Sequence, residues 1–225
     1  MPFRTPRIVI LGPQGAGKGT QAGRLKHRFH IPHISTGDLL RGEMARGTNL
    51  GKRITSTMNA GKLIPVQLTN AVMKKRLAER DCRRGWISDG YPRSIGQARP
   101  FLKFGQPNLL IHLHLTDKAA IKRLSGRRVC PRGHIYHLRH DPPKKRRGYC
   151  DRDGLKLKQR DDDTPKAIRQ RLRIYHGETE PVLTWLKSRI PTISVDAHQS
   201  IHHVYREILD DLKHFPWLLS PKKRR

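Results

Sequence analysis

The 225-residue sequence has few acidic residues, few cysteines and no long apolar run. The absence of a run of about 18 apolar residues argues against a membrane-spanning helix. The N-terminal residues show neither a long apolar signal segment nor a small-residue cleavage site, so we predict no secretory leader and expect a cytoplasmic protein. An odd number of cysteines, three, without such a leader argues against a disulfide framework.

The shortage of acidic residues leaves a large positive charge. Eighteen Asp and Glu stand against 47 Lys and Arg, so the formal net charge is +29. Such a charge favours polyanionic partners, including nucleotides and nucleic acid. Part of it lies in the run Lys144-Lys145-Arg146-Arg147 and in a basic tail, residues 220–225. A solvated basic surface without a partner accounts equally for the composition.

Short apolar segments alternate with helical patterns along most of the chain, which predicts an α/β fold with a parallel sheet. The predicted strands are 7–11, 86–90, 109–115 and 192–195. The clearest helical patterns cover 20–29, 166–175 and 200–215.

Two segments interrupt this alternation. Residues 34–73 contain no strand candidate and are predicted to form a helical insert. Residues 127–163 are rich in Gly, Pro, Lys and Arg, and are predicted to form a second, mobile insert.

A glycine-rich segment follows the first predicted strand and opens a helix. Residues 12–20 read Gly-Pro-Gln-Gly-Ala-Gly-Lys-Gly-Thr, which is typical of a phosphate-binding loop. Its backbone N–H groups would surround phosphate oxygens, and Lys18 would reach the β- and γ-phosphates. Gly19 occupies the position where the strict motif has Ser or Thr. We therefore expect Mg²⁺ to be held by phosphates and water, with Asp89 acting through that water.

Further segments follow in a fixed order, and together they resemble the adenylate kinase family from about residue 7 to residue 212. Arginines suit such an enzyme because a planar guanidinium binds phosphate in bidentate fashion. The segments are Gly-x-x-Gly-x-Gly-Lys-Gly-Thr at 12–20, His-Ile-Ser-Thr-Gly-Asp-Leu-Leu-Arg at 33–41, Asn-Ala-Gly-Lys-Leu-Ile-Pro at 59–65, Asp-Gly-Tyr-Pro-Arg at 89–93 with Gln97, Gly-Arg-Arg at 126–128, and Arg160 with Arg171.

The resemblance implies a three-layer α/β P-loop kinase with a helical nucleotide-monophosphate insert and a small lid insert. It implies Mg²⁺-dependent, reversible transfer of a phosphoryl group from ATP to AMP, giving two ADP, by a monomer. The implied core covers 1–34, 65–126 and 164–219, the AMP-binding insert 35–64, and the lid 127–163.

The resemblance also assigns roles to single residues. The implied catalytic residues are Lys18, Arg93, Arg123, Arg127, Arg160 and Arg171. The implied ATP-binding residues are Gly15, Ala16, Gly17, Lys18, Gly19, Thr20, Arg127, Ile135, Tyr136 and Gln199. The implied AMP-binding residues are Thr36, Arg41, Lys62, Leu63, Ile64, Gly90, Tyr91, Pro92, Arg93, Gln97, Arg160 and Arg171.

Three positions depart from the family pattern. Gln14 stands where proline is common, Tyr91 where phenylalanine is common, and Ser88 where an apolar residue is usual. None of these changes removes a contact with phosphate or base, so they question the packing beside Asp89 and leave the activity intact.

The lid segment carries a candidate zinc site. Cys150 and Asp153 resemble the second half of the zinc-bearing lid of one adenylate kinase subgroup, whereas the first half lacks its second cysteine. His134 is the nearest replacement, giving the ligand set Cys130, His134, Cys150 and Asp153. His137 is an alternative nitrogen ligand. A hydrogen-bonded lid with two free thiols is the alternative without metal.

Two other functions remain as alternatives. A related kinase for UMP or CMP would share most of these segments, but such relatives usually have a much shorter lid. A nucleic-acid-binding protein that retains an NTP site would explain the charge, although the sequence contains no recognised nucleic-acid motif or interleaved aromatic residues.

Overall fold

A computed structural model describes residues 5–59, 64–160 and 163–219 of the chain. Within these residues, none of the helices has both the length and the apolar composition needed to cross a lipid bilayer. The strands are β1 (Arg7–Leu11), β2 (His33–Ser35), β3 (Trp86–Asp89), β4 (Leu109–His114), β5 (Arg127–Val129), β6 (Ile135–His137) and β7 (Thr192–Asp196). The α-helices are α1 (Lys18–Phe29), α2 (Thr36–Ala45), α3 (Asn49–Asn59), α4 (Val66–Leu77), α5 (Ile95–Phe104), α6 (Asp117–Ser125), α7 (Pro165–Ile174), α8 (Glu180–Lys187), α9 (Ile201–Leu212) and α10 (Pro216–Leu219). A 3₁₀ turn covers Arg80–Arg84, and a π-helical segment, Tyr175–Thr179, joins α7 to α8.

Five strands form one parallel sheet in the order β2-β3-β1-β4-β7. The central strand β1 is buried on both faces, as its continuous apolar sequence predicts. Ile8 and Ile10 pack into one hydrophobic cluster, whereas Val9 and Leu11 pack into another. The predicted α/β fold with helices on both faces of a parallel sheet is therefore confirmed.

The glycine-rich loop lies at the point where the strand order reverses, with β3 and β2 on one side of β1 and β4 and β7 on the other. The chain leaves β1 between β3 and β4, and ligands bind to parallel sheets at such a point. Gly12 has φ 152°, and a Cβ atom there would lie 2.4 Å from the carbonyl oxygen of Leu113 on β4. Only glycine therefore lets the loop pass this close to the neighbouring strand.

The prediction that residues 34–73 contribute no strand is wrong at their N-terminal edge. β2 pairs in parallel with β3, with Ile34 opposite Ser88. A three-residue strand is too short to show a sequence period, and backbone pairing with β3 makes it a strand. The rest of the described segment is helical, as predicted, and has its own core around Ile54, Leu68 and Val72.

The 127–163 segment contains little regular structure. β5 and β6 form an antiparallel hairpin, and Val129 forms a single bridge with Lys158. Its small core consists of Cys130, Cys150 and Leu157, with Tyr136 packed against them.

Candidate nucleotide site

The glycine-rich loop curls around the side chain of Lys18, the first residue of α1. The Lys18 ammonium donates hydrogen bonds to the carbonyl oxygens of Gly12 and Pro13, at 2.8 and 2.7 Å. Gly15 and Gly17 have φ 85° and 83°, so both adopt the left-handed conformation that favours glycine. The loop thus combines the free N–H groups of a helix N-terminus with a cation, an arrangement that binds phosphate.

Lys18 lies among the arginines that the sequence analysis assigned to catalysis. Burial lowers the pKa of the Lys18 ammonium to about 8. Asp89 opposes this decrease, while the positive charges of Arg93, Arg171 and Arg127 add to it. Lys18 is therefore within electrostatic range of three other predicted catalytic cations at the carboxyl edge of the sheet, where a polyphosphate would relieve their mutual repulsion.

Two of these arginines share one buried carboxylate. Asp163 is fully buried and accepts hydrogen bonds from Nε and Nη2 of Arg127, at 2.7 and 2.5 Å. Arg171 donates from Nη1 to the same carboxylate at 3.4 Å. Arg127 lies at the start of the β5–β6 hairpin and Arg171 on α7, so Asp163 holds together two arginines from distant parts of the sequence.

A second carboxylate, Asp89, lies at the end of β3 beside the loop. Its Oδ2 atom is 3.2 Å from Nε2 of His33 on β2. A Cβ atom at Gly19 would lie 3.3 Å from the same oxygen, so the missing Ser or Thr side chain of the motif would press against Asp89. This carboxylate therefore faces the first turn of α1, where a magnesium nucleotide would be expected.

The segment after β2 carries the predicted AMP-phosphate residues. Thr36 is buried, and its hydroxyl donates to the Asp89 carbonyl oxygen at 3.5 Å. Arg41 forms an exposed ion pair with Asp38. Burial raises the pKa of the Asp38 carboxyl, but the hydrogen bond from Arg41 and the charges of Arg41 and Arg160 outweigh it, and the pKa is lowered. Arg160 thus lies within electrostatic range of this side of the site.

Gln97 lies at the N-terminus of α5 with one end of its amide already engaged. Its Oε1 atom accepts a hydrogen bond from the backbone N–H of Arg93 at 2.8 Å. Arg93 also donates from Nε to the carbonyl oxygen of Gly90 at 2.7 Å. These contacts orient the Gln97 amide, so that its NH₂ group is the end available to a ligand.

Of the three polar residues that depart from the family pattern, Ser88 and Tyr91 are satisfied by local hydrogen bonds, whereas the Oε1 atom of Gln14 is buried without a partner among the described residues. The Ser88 hydroxyl donates to the carbonyl oxygen of Tyr91 at 2.9 Å. Tyr91 is fully buried, and its hydroxyl donates to Oδ1 of Asn70 on α4 at 2.7 Å. Pro92 is also buried. The packing beside Asp89 is therefore intact.

The predicted residues around the ATP base are spread over three elements. Arg123 on α6 donates from Nη2 to the carbonyl oxygens of His198 and Gln199, and from Nη1 to that of Gly15. Ile135 is 49% exposed on the hairpin. The Tyr136 hydroxyl accepts the backbone N–H of Asp151 at 2.8 Å, so Tyr136 contributes to the core of the hairpin.

Not all of the residues named in the sequence analysis fall within the described ranges. Lys62, Leu63 and the basic tail, residues 220–225, lie outside the described residues. Ile64 is half-buried against the small core of the helical segment. Of the remaining residues of the phosphate loop, Ala16 is buried and Thr20 is exposed.

The predicted metal ligands in the 127–163 segment form one cluster. Ligand atoms of Cys130, His134, Cys150 and Asp153 all lie within 4.8 Å of one another. His134 Nδ1 is 3.4 and 3.3 Å from the sulfurs of Cys130 and Cys150, and 3.0 Å from Oδ2 of Asp153. His137 does not belong to this cluster. Its Nδ1 atom accepts the backbone N–H groups of residues 139 and 140, and its Nε2 atom is buried without a hydrogen-bond partner among the described residues.

The sequence analysis missed three residues that organise the site. His33 lies inside the 33–41 segment, which gave it no separate role, whereas Asp163 and Asn70 lie outside the motif segments named in the sequence analysis. The acidic run 161–163 marked the region of Asp163. No local signal marks Asn70, because its partner Tyr91 is 21 residues away.

Comparisons with known proteins agree with this geometry. Residues 10–190 match the family model described as adenylate kinase. The chain is 42% identical to an adenylate kinase of Streptomyces coelicolor over 215 residues, covering 92% of this chain and 98% of the relative. An adenylate kinase of Methanococcoides burtonii is 39% identical, covering 92% and 99% of the two chains, and one of Caldanaerobacter subterraneus is 40% identical, covering 90% and 94%. The matched residues include the phosphate loop, the Asp89 segment and the arginines around Lys18, and the chain belongs to the adenylate kinase family.

Proposed function

We propose that the protein transfers the γ-phosphoryl group of ATP to AMP and catalyses the reverse reaction. The observation that carries the proposal is a phosphate loop curled around Lys18, whose ammonium is within electrostatic range of Arg93, Arg127 and Arg171. Phosphoryl transfer spreads negative charge over three equatorial oxygens, so the protein contributes mainly by positioning and neutralising charge. Four cations around one location supply that neutralisation.

The two substrates would occupy opposite sides of this location. Lys18 and the loop N–H groups hold the ATP phosphates, while Arg41 and Arg93 hold the AMP phosphate. Arg127 and Arg171 start from the shared carboxylate of Asp163 and turn toward the transferring group as ATP arrives. In this proposal Arg160 and Arg123 complete the set on the AMP side and the ATP side.

Magnesium fits the chemistry of the Asp89 region. No hydroxyl is present at Gly19, so the donors are the nucleotide phosphates and water, which Asp89 orients. Mg²⁺ keeps several waters in protein sites, which agrees with such an arrangement. When bound, the ion neutralises charge on the β- and γ-phosphates. Nε2 of His33 lies 3.2 Å from the Oδ2 atom of Asp89 that faces Gly19 and helps to hold this carboxylate in place.

The choice of AMP as acceptor follows from the orientation of Gln97. Its Oε1 atom is engaged with Arg93, so Gln97 presents an N–H donor to the base. The ring nitrogen N1 of adenine accepts a hydrogen bond, whereas N1 of guanine carries a hydrogen. Adenine is therefore favoured over guanine, and UMP or CMP would lack the larger ring system of a purine.

A coupled assay with AMP, GMP, CMP and UMP as acceptors tests this function. We expect AMP to have the highest kcat/KM, and Gln97→Ala to narrow the AMP-to-GMP ratio by the roughly 1–3 kcal/mol that a base-edge contact provides. Gln170→Ala, which removes an exposed glutamine from α7, is the control. A preference of the wild-type protein for UMP or CMP would instead support the related pyrimidine kinases.

The 127–163 segment fits a structural zinc site. A tetrahedral ion with bonds of about 2.0–2.3 Å separates its ligand atoms by roughly 3.3–3.8 Å. The distances around His134 are 3.0, 3.3 and 3.4 Å, close to those edges. A segment with a core of three buried residues would gain much of its folding energy from such an ion.

Metal analysis of purified protein tests the zinc site. We expect about one equivalent of zinc per chain in wild-type protein and none at this site in Cys150→Ser. Chelation is expected to lower the melting temperature, while initial rates at low temperature change less because none of the four ligands contacts phosphate. Cys82→Ser changes a cysteine of the main core and is the control. Metal-free protein of full stability would favour the hydrogen-bonded lid.

The positive charge supports weak, general binding of polyanions as a second property. Lys144, Lys145, Arg146 and Arg147 are all exposed. Neutralising several phosphates makes log K fall linearly with log salt. We expect binding of duplex DNA at about 50 mM salt that weakens steeply by about 200 mM. Protein that ignores DNA at low salt would leave the charge as a solvated surface. A monomeric state and a cytoplasmic location remain predictions.

A further inference from the structure

The carboxyl ends of β4 and β7 bring two metal-ligating side chains together. The strands pair in parallel with His114 directly opposite Asp196. Residues that face each other across paired strands lie on the same face of the sheet. The backbone N–H of Ala197 donates to the carbonyl oxygen of His114 at 2.8 Å, which continues the pairing one residue beyond the strand. The imidazole and the carboxylate are therefore neighbours because of strand register.

The turn after β7 adds a third ligand. The backbone N–H of His198 donates to Oδ1 of Asp196 at 3.0 Å, and this contact folds the chain back toward the sheet. The rings of His198 and His114 are 6.0 Å apart between centroids. One ligand atom from each of the three side chains lies within 4.8 Å of the other two, and all three residues are exposed.

We propose that His114, Asp196 and His198 form a binding site for a divalent transition-metal ion such as Zn²⁺ or Ni²⁺. Imidazole suits these ions, whereas Mg²⁺ and Ca²⁺ prefer oxygen ligands alone. Three protein ligands on an exposed surface leave the remaining coordination positions to water. The site contains no sulfur and lies on the sheet, so its ligand set is independent of the four residues of the 127–163 segment.

Existing hydrogen bonds hold two of the ligands in place. Nδ1 of His198 is 2.6 Å from Oδ1 of Asp196, and Nε2 of His198 is 3.0 Å from the hydroxyl of Thr116. The backbone N–H of Thr116 also donates to Nε2 of His198 at 3.3 Å, so Nδ1 carries the proton and donates it to Asp196. A metal ion on Nδ1 would displace that proton to Nε2, where the Thr116 hydroxyl can accept it, at the cost of the bond from the Thr116 backbone. A surface His–Asp pair without metal is the competing explanation of the same geometry.

The site also connects to the nucleotide loop. Arg123 donates from Nη2 to the carbonyl oxygens of His198 and Gln199, at 3.3 and 3.5 Å, and from Nη1 to that of Gly15 at 3.4 Å. A metal that fixes His198 would therefore restrain the turn that Arg123 links to the phosphate loop. This consequence rests on the proposed function, and we expect it as a change in the KM for ATP with little change in that for AMP.

Titration with Ni²⁺ in the absence of nucleotide tests the site directly. Full-length protein that carries one equivalent of Zn²⁺, enough for the cluster of the 127–163 segment, is compared with His198→Ala and His114→Ala by calorimetry. We expect each variant to bind Ni²⁺ with affinity reduced by more than the ~10–100-fold that loss of an outer partner causes. His202→Ala combined with His203→Ala removes a nearby pair of exposed imidazoles on α9 and is the control.

The outcomes separate the possibilities. Reduced binding in both ligand variants, with normal binding in the control, supports the site. Equal binding in wild-type protein and His198→Ala, or an equal reduction in the control, overturns it in favour of general surface imidazole binding or a metal-free His–Asp pair. Because the titration needs no turnover, its result stands whether or not AMP proves to be the acceptor. The change in the KM for ATP that Ni²⁺ causes in wild-type protein, compared with the change in His114→Ala, then tests the link through Arg123, because Ni²⁺ bound to ATP itself affects both proteins equally.

Discussion

In the nucleotide-free protein, about half of the Lys18 side chains are deprotonated at pH 8, because burial lowers their pKa to about 8. The β- and γ-phosphates of ATP place negative charge against this ammonium, which raises its pKa again. Binding of ATP therefore takes up protons. With a bound pKa well above 9, the expected uptake is about 0.1 proton per ATP at pH 7, about 0.5 at pH 8 and about 0.9 at pH 9.

Calorimetry in buffers with different ionisation enthalpies measures this uptake. The observed binding enthalpy varies linearly with the buffer enthalpy, and the slope is the number of protons taken up. Phosphate groups with a pKa near 6 are ionised above pH 8, so the nucleotide itself contributes little there. Lys18→Arg is the matched control, because a guanidinium remains protonated throughout this range.

The lowered pKa of Lys18 also determines how the stability of the native state changes with pH. Between pH 8 and 10.5 the unfolded chain holds a proton on Lys18 that the native protein has released, so this residue makes the native state more stable as pH rises. Below pH 8 Lys18 is protonated in both states, so the full free-energy cost of burying its charge destabilises the native state. Uptake near zero for wild-type protein at pH 9, or equal uptake in wild-type and Lys18→Arg, would refute the assignment of the lowered pKa to Lys18.

Two further substitutions probe the packing of the site. Asp163→Asn leaves Arg127 and Arg171 without their buried anion, so we expect the free energy of unfolding in urea to fall by about 3 kcal/mol or more. A loss below 1 kcal/mol would show that the ion pairs of Asp163 with Arg127 and Arg171 stabilise the protein no more than most surface ion pairs do. Tyr91→Phe removes one hydrogen bond to Asn70 and restores the common residue of the family, so we expect a loss of about 1 kcal/mol and unchanged kcat. A large fall in kcat would mean that the hydroxyl takes part in AMP binding.

Much of the fold was predictable because its signals are local. The apolar runs of β1, β3, β4 and β7 and the glycine-rich loop each lie within a few consecutive residues. The apolar residues indicate strands buried on both faces of a sheet, and the glycines indicate a tight turn. Both conclusions depend only on the residues of the segment itself. The order of the motifs then indicated the family, although no single motif did so alone.

Other features depended on contacts between distant segments. β2 is a strand because β3 lies beside it, and Gln97 presents its amide nitrogen because its oxygen is held by the backbone of Arg93. The carboxylate of Asp163 was present in the sequence, but its role depends on an arginine 36 residues earlier. Sequence patterns record the preferences of neighbouring residues and do not record these partners.

The two metal clusters show the same division. The resemblance to the zinc-bearing lid of one adenylate kinase subgroup indicated the cluster of Cys130 and Cys150, whose ligands come in two short groups of the sequence. His114 and His198 are 84 residues apart in the numbering and carry no motif. Only the parallel register of β4 with β7 places His114 opposite Asp196, and only the turn that follows returns His198 to the same face. Local motifs and their order along the chain thus indicated the family and its phosphate loop. Strand pairing across the sheet decided which distant side chains share a site, because register is a property of two segments together.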